Sequence, residues 1–396
     1  MFIQPSLPQN QVDVILPVGE YISIGNTGNE PTTVQLQTAY PGQQWLYSTI
    51  GTLFNTAQTF GPYTEERTIR IENRNATVEY SIGTQPQLRN FPQLVIENKG
   101  PIGLVEPAGT FVTLTYNNNA GKVRLNSAGA HGLTAAVAVG ENVYVTWTGG
   151  TGVTGLYPVT ALDTDTTGTA VTIDLAYKSA TVTISIAAPG VVTWTDHGLS
   201  VNDTIRFTTT GALPTGLAIN TTYYVKSVLS LNTFTVSASA GGAAITTSGT
   251  QSGTQTALVW YGTAVVAVAN TAVTLASVTV PGWSIGIGGQ IEVNALFSLT
   301  NSANAKNLNM TFGGSAIFTL ASANVASVSV QKEIVNRGGS QIVSSAVGAT
   351  GHGASTGTVL TLSVNTNVDQ TFAITAQPTT ANELVQLEYY SLQAIF

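Results

Sequence analysis

The chain has 396 residues, and 13 Lys and Arg against 20 Asp and Glu leave a formal net charge of −7. Only 8 % of the residues are charged, against about 25 % in an ordinary soluble domain, and with no Lys/Arg cluster a phosphate-binding surface is not expected. The chain contains no cysteine, which excludes disulfides, thiolate catalysis and zinc–thiolate sites.

At about 100–200 residues per domain, this length implies two to four domains. Apolar residues make up 43 % of the chain and glycine numbers 40, so a packed core built from strands and tight turns is expected. The opening MFIQPSLPQNQ has no basic segment and no long apolar run, so no secretory leader is expected. Nor does any stretch of about 18 apolar residues predict a membrane span.

Residues 1–12 read as an extended arm, because Pro5 and Pro8 forbid helix. Phe2, Ile3, Pro5, Leu7 and Pro8 are the residues by which such an arm would dock on a partner. Residues 13–92 read as a small β-domain. VDVILPVGEYISIGN, VQLQTAY, QQWLYSTIG, RTIRIEN and ATVEYSIG alternate apolar and polar residues between turn clusters, the pattern of a sandwich or barrel. Arg67, Arg70, Glu72, Arg74 and Glu79 are expected along one hairpin, as opposed charges on a solvated strand face. Residues 93–120 read as a connector carrying the strand FVTLTY.

An internal repeat follows. AHGLTAAVAVGENVYVTW (130–147) matches DHGLSVNDTIRF (196–207), and each copy continues through a glycine-rich turn into a tyrosine strand. Residues 121–178 and 179–258 therefore read as two copies of one β-module in tandem, an arrangement that suits a spacer. Residues 259–396 hold about eight further strands with only eight charges, among them Glu292, Glu333, Asp369, Glu383 and Glu388. Such a set suits a jelly roll. A surface so poor in charge suggests burial between subunits, and a homotrimer is the expected form.

The chemistry is thin. His131 and His197 occupy the same repeat position, H-G-L, so each is expected to fix a turn by hydrogen bonding to backbone. Gly351, His352 and Gly353 mark a glycine-flanked loop, a candidate for receptor contact. Asp163, Asp165, Thr167, Gly168 and Asp174 match a calcium loop imperfectly, and ordinary turn chemistry accounts for them. No phosphate loop, nucleophile elbow or dinucleotide fingerprint is present. Trp260, Tyr261, Trp283, Tyr389 and Tyr390 could face sugars or pack in a core or subunit interface. No catalytic residue, metal or cofactor is assigned, and a non-enzymatic role is expected.

The pattern H-G-L-x-V-x-D-x-I-x-F, then L-P-x-G-L, then T-x-Y-Y-V within 196–239 resembles a β-module of structural proteins of tailed bacteriophages. Residues 130–177 resemble a diverged copy in which Glu141 takes the place of Asp203 and L-P-x-G-L is lost. NLNMTFGGSAIFTL, KEIVNRG and LVQLEYYSLQAIF are similar to trimeric jelly-roll heads of phage fibres and head-decorating proteins. FGPYTEERTIRIENRNATVEYSIGTQP resembles a virion-attachment module of the same group.

The resemblance implies a trimeric fibre, spike or decoration protein on the virion surface, assembled in the host cytoplasm. Its partners would be other virion proteins and a host-surface glycan or protein, with no nucleic acid and no membrane insertion. The compact N-terminal module favours the capsid over the tail. The alternatives are a tail fibre, a polysaccharide-degrading tailspike and a bacterial surface adhesin, the last disfavoured by the expected lack of a leader.

Overall fold

The computed structural model describes residues 2–3, 11–26, 32–38, 46–53, 56–60, 67–73, 78–83, 94–99, 101–111, 113–282, 285, 288–338, 341–344 and 358–395. The protein is all-β, with 57 % of residues in strands and 1 % in helix. The scarcity of good helix formers and the period-two alternation account for this. Two compact units result: one contains residues 1–102, 274–376 and 385–396, the other 103–273 and 377–384.

In the first unit the N-terminal strands are β1 (Phe2–Ile3), β2 (Gln11–Leu16), β3 (Tyr21–Asn26), β4 (Thr32–Thr38), β5 (Leu46–Leu53), β6 (Thr56–Phe60), β7 (Arg67–Asn73) and β8 (Val78–Gly83). They form two four-stranded sheets, ordered β1-β8-β3-β6 and β2-β7-β4-β5. Val14, Leu16, Ile22, Ile24, Val34, Phe60, Ile69 and Ile71 make their shared core. β7 and β8 lie in different sheets, so Arg67, Arg70 and Glu72 do not share a hairpin with Glu79. Asp13 lies opposite Arg70 instead. β9 (Leu94–Lys99) pairs with a C-terminal strand described below.

The second unit contains two rings of the same topology. β10 (Ile102–Val105) leads in and pairs in parallel, at Leu104↔Asn142, with a ring strand. β11 (Thr113–Asn119), β12 (Lys122–Asn126), a single helical turn α1 (Ala135–Ala138), β13 (Asn142–Thr148), β14 (Gly155–Leu162) and β15 (Ala170–Ala176) follow. The next six strands are β16 (Ser179–Ile184), β17 (Val191–Thr193), β18 (Thr204–Thr209), β19 (Tyr223–Ser230), β20 (Thr233–Ser237) and β21 (Gln255–Val259). They close on themselves in the order β16-β17-β20-β19-β18-β21. The chain then returns as β22 (Thr263–Val266).

β22 pairs with β11 at Thr113↔Val265 and with β13 at Val145↔Val266. The first ring therefore runs β11-β12-β15-β14-β13-β22, the same circuit as the second ring, strand for strand. The second ring is thus nested in sequence between the fifth and sixth strands of the first. β22 lies in the sequence segment 259–396, yet it completes a ring begun at residue 113. Val123, Leu125, Val145 and Ile173 of one ring and Ile205, Phe207, Val225 and Phe234 of the other belong to one continuous buried cluster.

The C-terminal strands, in the first unit, are β23 (Val273–Val280), β24 (Gln290–Leu299), β25 (Lys306–Phe312), β26 (Ser315–Ser322), β27 (Ser327–Gly338), β28 (Gln341–Ser344), β29 (Leu360–Ser363), β30 (Gln370–Pro378) and β31 (Leu384–Ile395). They form the sheets β23-β30-β25-β26 and β9-β31-β24-β27-β28-β29. The chain alternates between the two sheets, with the hairpins β25–β26 and β27–β28–β29 each kept within one. Burial alternates along β24, β25 and β27, so each sheet covers one face with apolar side chains. Among the described residues no helix is long and apolar enough to cross a membrane.

Candidate functional site

The repeated histidines do the same work in both rings. After β12 and after β17 the chain makes an H-G-L turn, and Gly132 (φ +67°) and Gly198 (φ +54°) take the left-handed conformation it requires. The turn folds the following N–H back onto the imidazole: Leu133 N–H donates to His131 Nδ1 at 3.0 Å, and Leu199 N–H to His197 Nδ1 at 2.9 Å. The ring proton therefore sits on Nε2. It points to Asp163 Oδ1 at 3.3 Å in the first ring and to the Ser230 carbonyl at 3.1 Å in the second. Both histidines are buried. Each pins its turn to the tip of the opposite hairpin, β14–β15 or β19–β20.

Replacing His197 by alanine should leave the Leu199 N–H without its acceptor and a cavity beside Phe234, whose ring lies 5.0 Å away. The expected loss is about 2–4 kcal/mol in urea unfolding. A change below about 0.5 kcal/mol would remove the structural role.

The calcium-like loop is occupied by its own chain. Asp163 accepts N–H groups from Thr164 (3.0 Å), Thr169 (3.0 Å) and Ala170 (3.1 Å), and Arg124 lies at 3.7 Å. Burial acts to raise this carboxyl, but the three N–H donors and His131 outweigh it and hold it below its ordinary value. Asp165 accepts the Ala135 N–H at 2.8 Å, at the start of α1. Asp174 pairs with Lys122. Donors therefore surround these carboxylates where a cation would need acceptors. Among the described residues no three His, Asp or Glu side chains cluster as metal ligands.

An aromatic joint sits where the chain crosses from one ring to the other and back. Trp260 stacks on Tyr116 with centroids 5.3 Å apart, and the Arg206 guanidinium lies 3.3 Å from the Trp260 ring centroid. Tyr261 N–H donates to the Tyr116 hydroxyl (2.7 Å), and the Tyr261 hydroxyl donates to the Ala176 carbonyl (2.5 Å). The outgoing and returning crossings are thus tied together. Burial pushes the Tyr261 phenol up to about 12 and raises Tyr116 as well. Trp260 is engaged by the Tyr116 ring and by the Arg206 guanidinium, which assigns it to packing. Tyr390 is 2 % exposed and equally a core residue, whereas Tyr389 is 39 % exposed.

Two features escaped the sequence reading. Glu106, just after β10, is fully buried, and neither carboxyl oxygen has a hydrogen-bond partner. Burial pushes it up to about 8. The nearby Thr271 and Asn270 N–H groups oppose this in part, but they already donate to Val268 O and Pro378 O. Second, Glu292 lies directly opposite Glu333 across β24 and β27. Their separation in sequence hid a pair that register alone creates.

Of the expected contact residues, Phe2 and Ile3 pair through their backbone with Glu79 and Val78 of β8. Pro5, Leu7, Pro8, Trp283, Gly351, His352 and Gly353 lie outside the described residues.

No family model matches the chain, and no curated protein matches it. Among solved structures, the insecticidal delta-endotoxin Cry8Ea1 from Bacillus thuringiensis is similar at 5 % identity, with a TM-score of 0.19 over 94 % of this chain. The chain spans about half of that one, 53 %. Infectious bursal disease virus structures of the Gx and Gt strains align at 14 % and 10 % identity, each with a TM-score of 0.17. They cover 73 % and 78 % of this chain and 73 % and 74 % of their own. Scores this low establish no shared fold.

Proposed function

We propose that the chain is a structural protein of a tailed-bacteriophage virion: a trimeric fibre, spike or decoration protein on the particle surface. Its N-terminal strands attach to the virion, its two rings act as a spacer, and its C-terminal strands face the host. The observation that carries this reading is the pair of identically wound rings. Each contains a histidine committed to a turn, and the two are locked by an aromatic joint. Such a unit transmits position. Adhesion by multivalent polar surfaces is the mechanism, and the capsid is the favoured location.

Light scattering coupled to size exclusion tests the assembly. A mass near three times 41.1 kDa, insensitive to dilution, is expected, with immunogold labelling of the capsid. A clean monomer counts against the trimeric head, and label at the tail alone turns the reading into a tail fibre. The opposed carboxylates Glu292 and Glu333 favour one second reading, a polysaccharide-degrading tailspike. Release of new reducing ends from host capsule would select it.

A further inference from the structure

The sheet containing β31, β24 and β27 has one face packed inward and one polar face that is exposed at Leu296, Glu333 and Tyr389 and covered at Ser391. Inward residues alternate along β24 as Ile291, Val293, Ala295 and Phe297, all buried. On β31, Val385 and Leu387 follow the same inward alternation, and Tyr389 would be next. The register slips here: Leu296 pairs with Tyr389 but Phe297 pairs with Leu387, so Glu388 is the extra residue of a β-bulge. The bulge reverses the alternation. Tyr390 turns inward at 2 % exposure, and Tyr389 turns out at 39 % beside Leu296 at 42 %. The inward place is filled by Tyr390, so the bulge adds an outward tyrosine without emptying the core, and bulges of this kind re-aim side chains at sites of contact.

Polar rows continue from that tyrosine across the same face. Asn294 lies between Ser391 and Gln331, and Glu292 between Gln393 and Glu333. Asn294 and Gln331 both donate to Glu292 Oε1, at 2.9 and 3.1 Å. Glu333 is exposed. Ser391 is 1 % exposed and its hydroxyl has no hydrogen-bond partner. Carboxylates directly opposed on a sheet repel each other, and an ionised carboxylate only accepts hydrogen bonds. The pair calls for a donor-rich ligand.

We propose that this face is a binding platform for a neutral, hydroxyl-rich saccharide. A sugar face packs on Tyr389 and Leu296, and its hydroxyls donate to Glu292 and Glu333. A second copy docking through its own C-terminal segment fits less well. Of the three basic residues between 260 and 396, Lys306 and Lys332 are buried, leaving Arg337 to meet the carboxylates. The inference deepens the adhesive role given to the C-terminal strands and rests on it.

Calorimetric titration of the full chain with maltotetraose, cellotetraose, chitotetraose and tetragalacturonate provides the test. At least one neutral tetrasaccharide should bind with a dissociation constant of about 1 mM. Tyr389→Ala should weaken it at least about tenfold, with a melting temperature within about 2 °C of the parent. Tetragalacturonate should bind only after Glu292→Gln and Glu333→Gln are combined. Three results overturn the platform: no neutral binding at about 10 mM, equal affinity of the Tyr389→Ala chain, or a fall in solution mass on that substitution, which makes the face a copy–copy contact. Mass and labelling of the parent chain are read separately, so a platform that fails leaves the virion reading standing or falling on its own test.

Discussion

The substitution Glu106→Gln is expected to make the protein more stable at alkaline pH while changing little near pH 5. Glu106 is fully buried with neither carboxyl oxygen hydrogen-bonded, and its folded pKa is raised from 4.5 to about 8. Between those values the folded state holds a proton that the unfolded state has released, so stability falls as pH rises through the window and levels off above about 8. At about 1.4 kcal/mol per unit, the full loss is roughly 4–5 kcal/mol. The neutral amide of the variant has no such proton to lose. Urea unfolding at pH 5, 7 and 9 should show the parent losing stability relative to Glu106→Gln, with the gap widest at pH 9. Parallel pH profiles for the two chains would show that Glu106 is solvated in the folded state.

The second large effect is expected at the aromatic joint. Trp260→Ala removes the ring held between Arg206 and Tyr116. It should cost about 3–5 kcal/mol, the usual range for a buried tryptophan truncated to alanine, discounted somewhat because Trp260 is half-buried. The joint ties both crossings between the rings through Tyr261 and Ala176, so the loss should not stay in one ring. Native-state hydrogen exchange should quicken in β11 and β22 of the first ring and in β18 and β21 of the second together. Acceleration confined to the second ring would show that the rings are energetically independent and the joint only a contact.

Much of the architecture is legible in the residues. Alternation such as VDVILPV and QIEVNALFSL specifies strands because a strand with one dry face needs apolar side chains at every second position. The duplicated H-G-L announces both turns, since glycine supplies the left-handed conformation and histidine the acceptor, all within three residues. The virion role rests on the same repeated pattern and stays a proposal.

Local pattern also determined that this protein is all-β, poor in charge and built around a repeated histidine turn. Tertiary structure alone decided the rest, because the remaining features depend on pairing between distant segments. β22 reads like any apolar strand, and only its two partners, β11 and β13, show that one ring is nested in the other. Glu106 sits in VEPAG, where an acid normally faces water, yet chain some 165 and 275 residues onward surrounds it: the Asn270 N–H lies near its carboxyl and the Asn382 N–H donates to its backbone carbonyl. The opposition of Glu292 and Glu333 is a matter of register. The outward turn of Tyr389 depends on one extra residue, because in a period-two structure a single insertion exchanges the inner and outer faces.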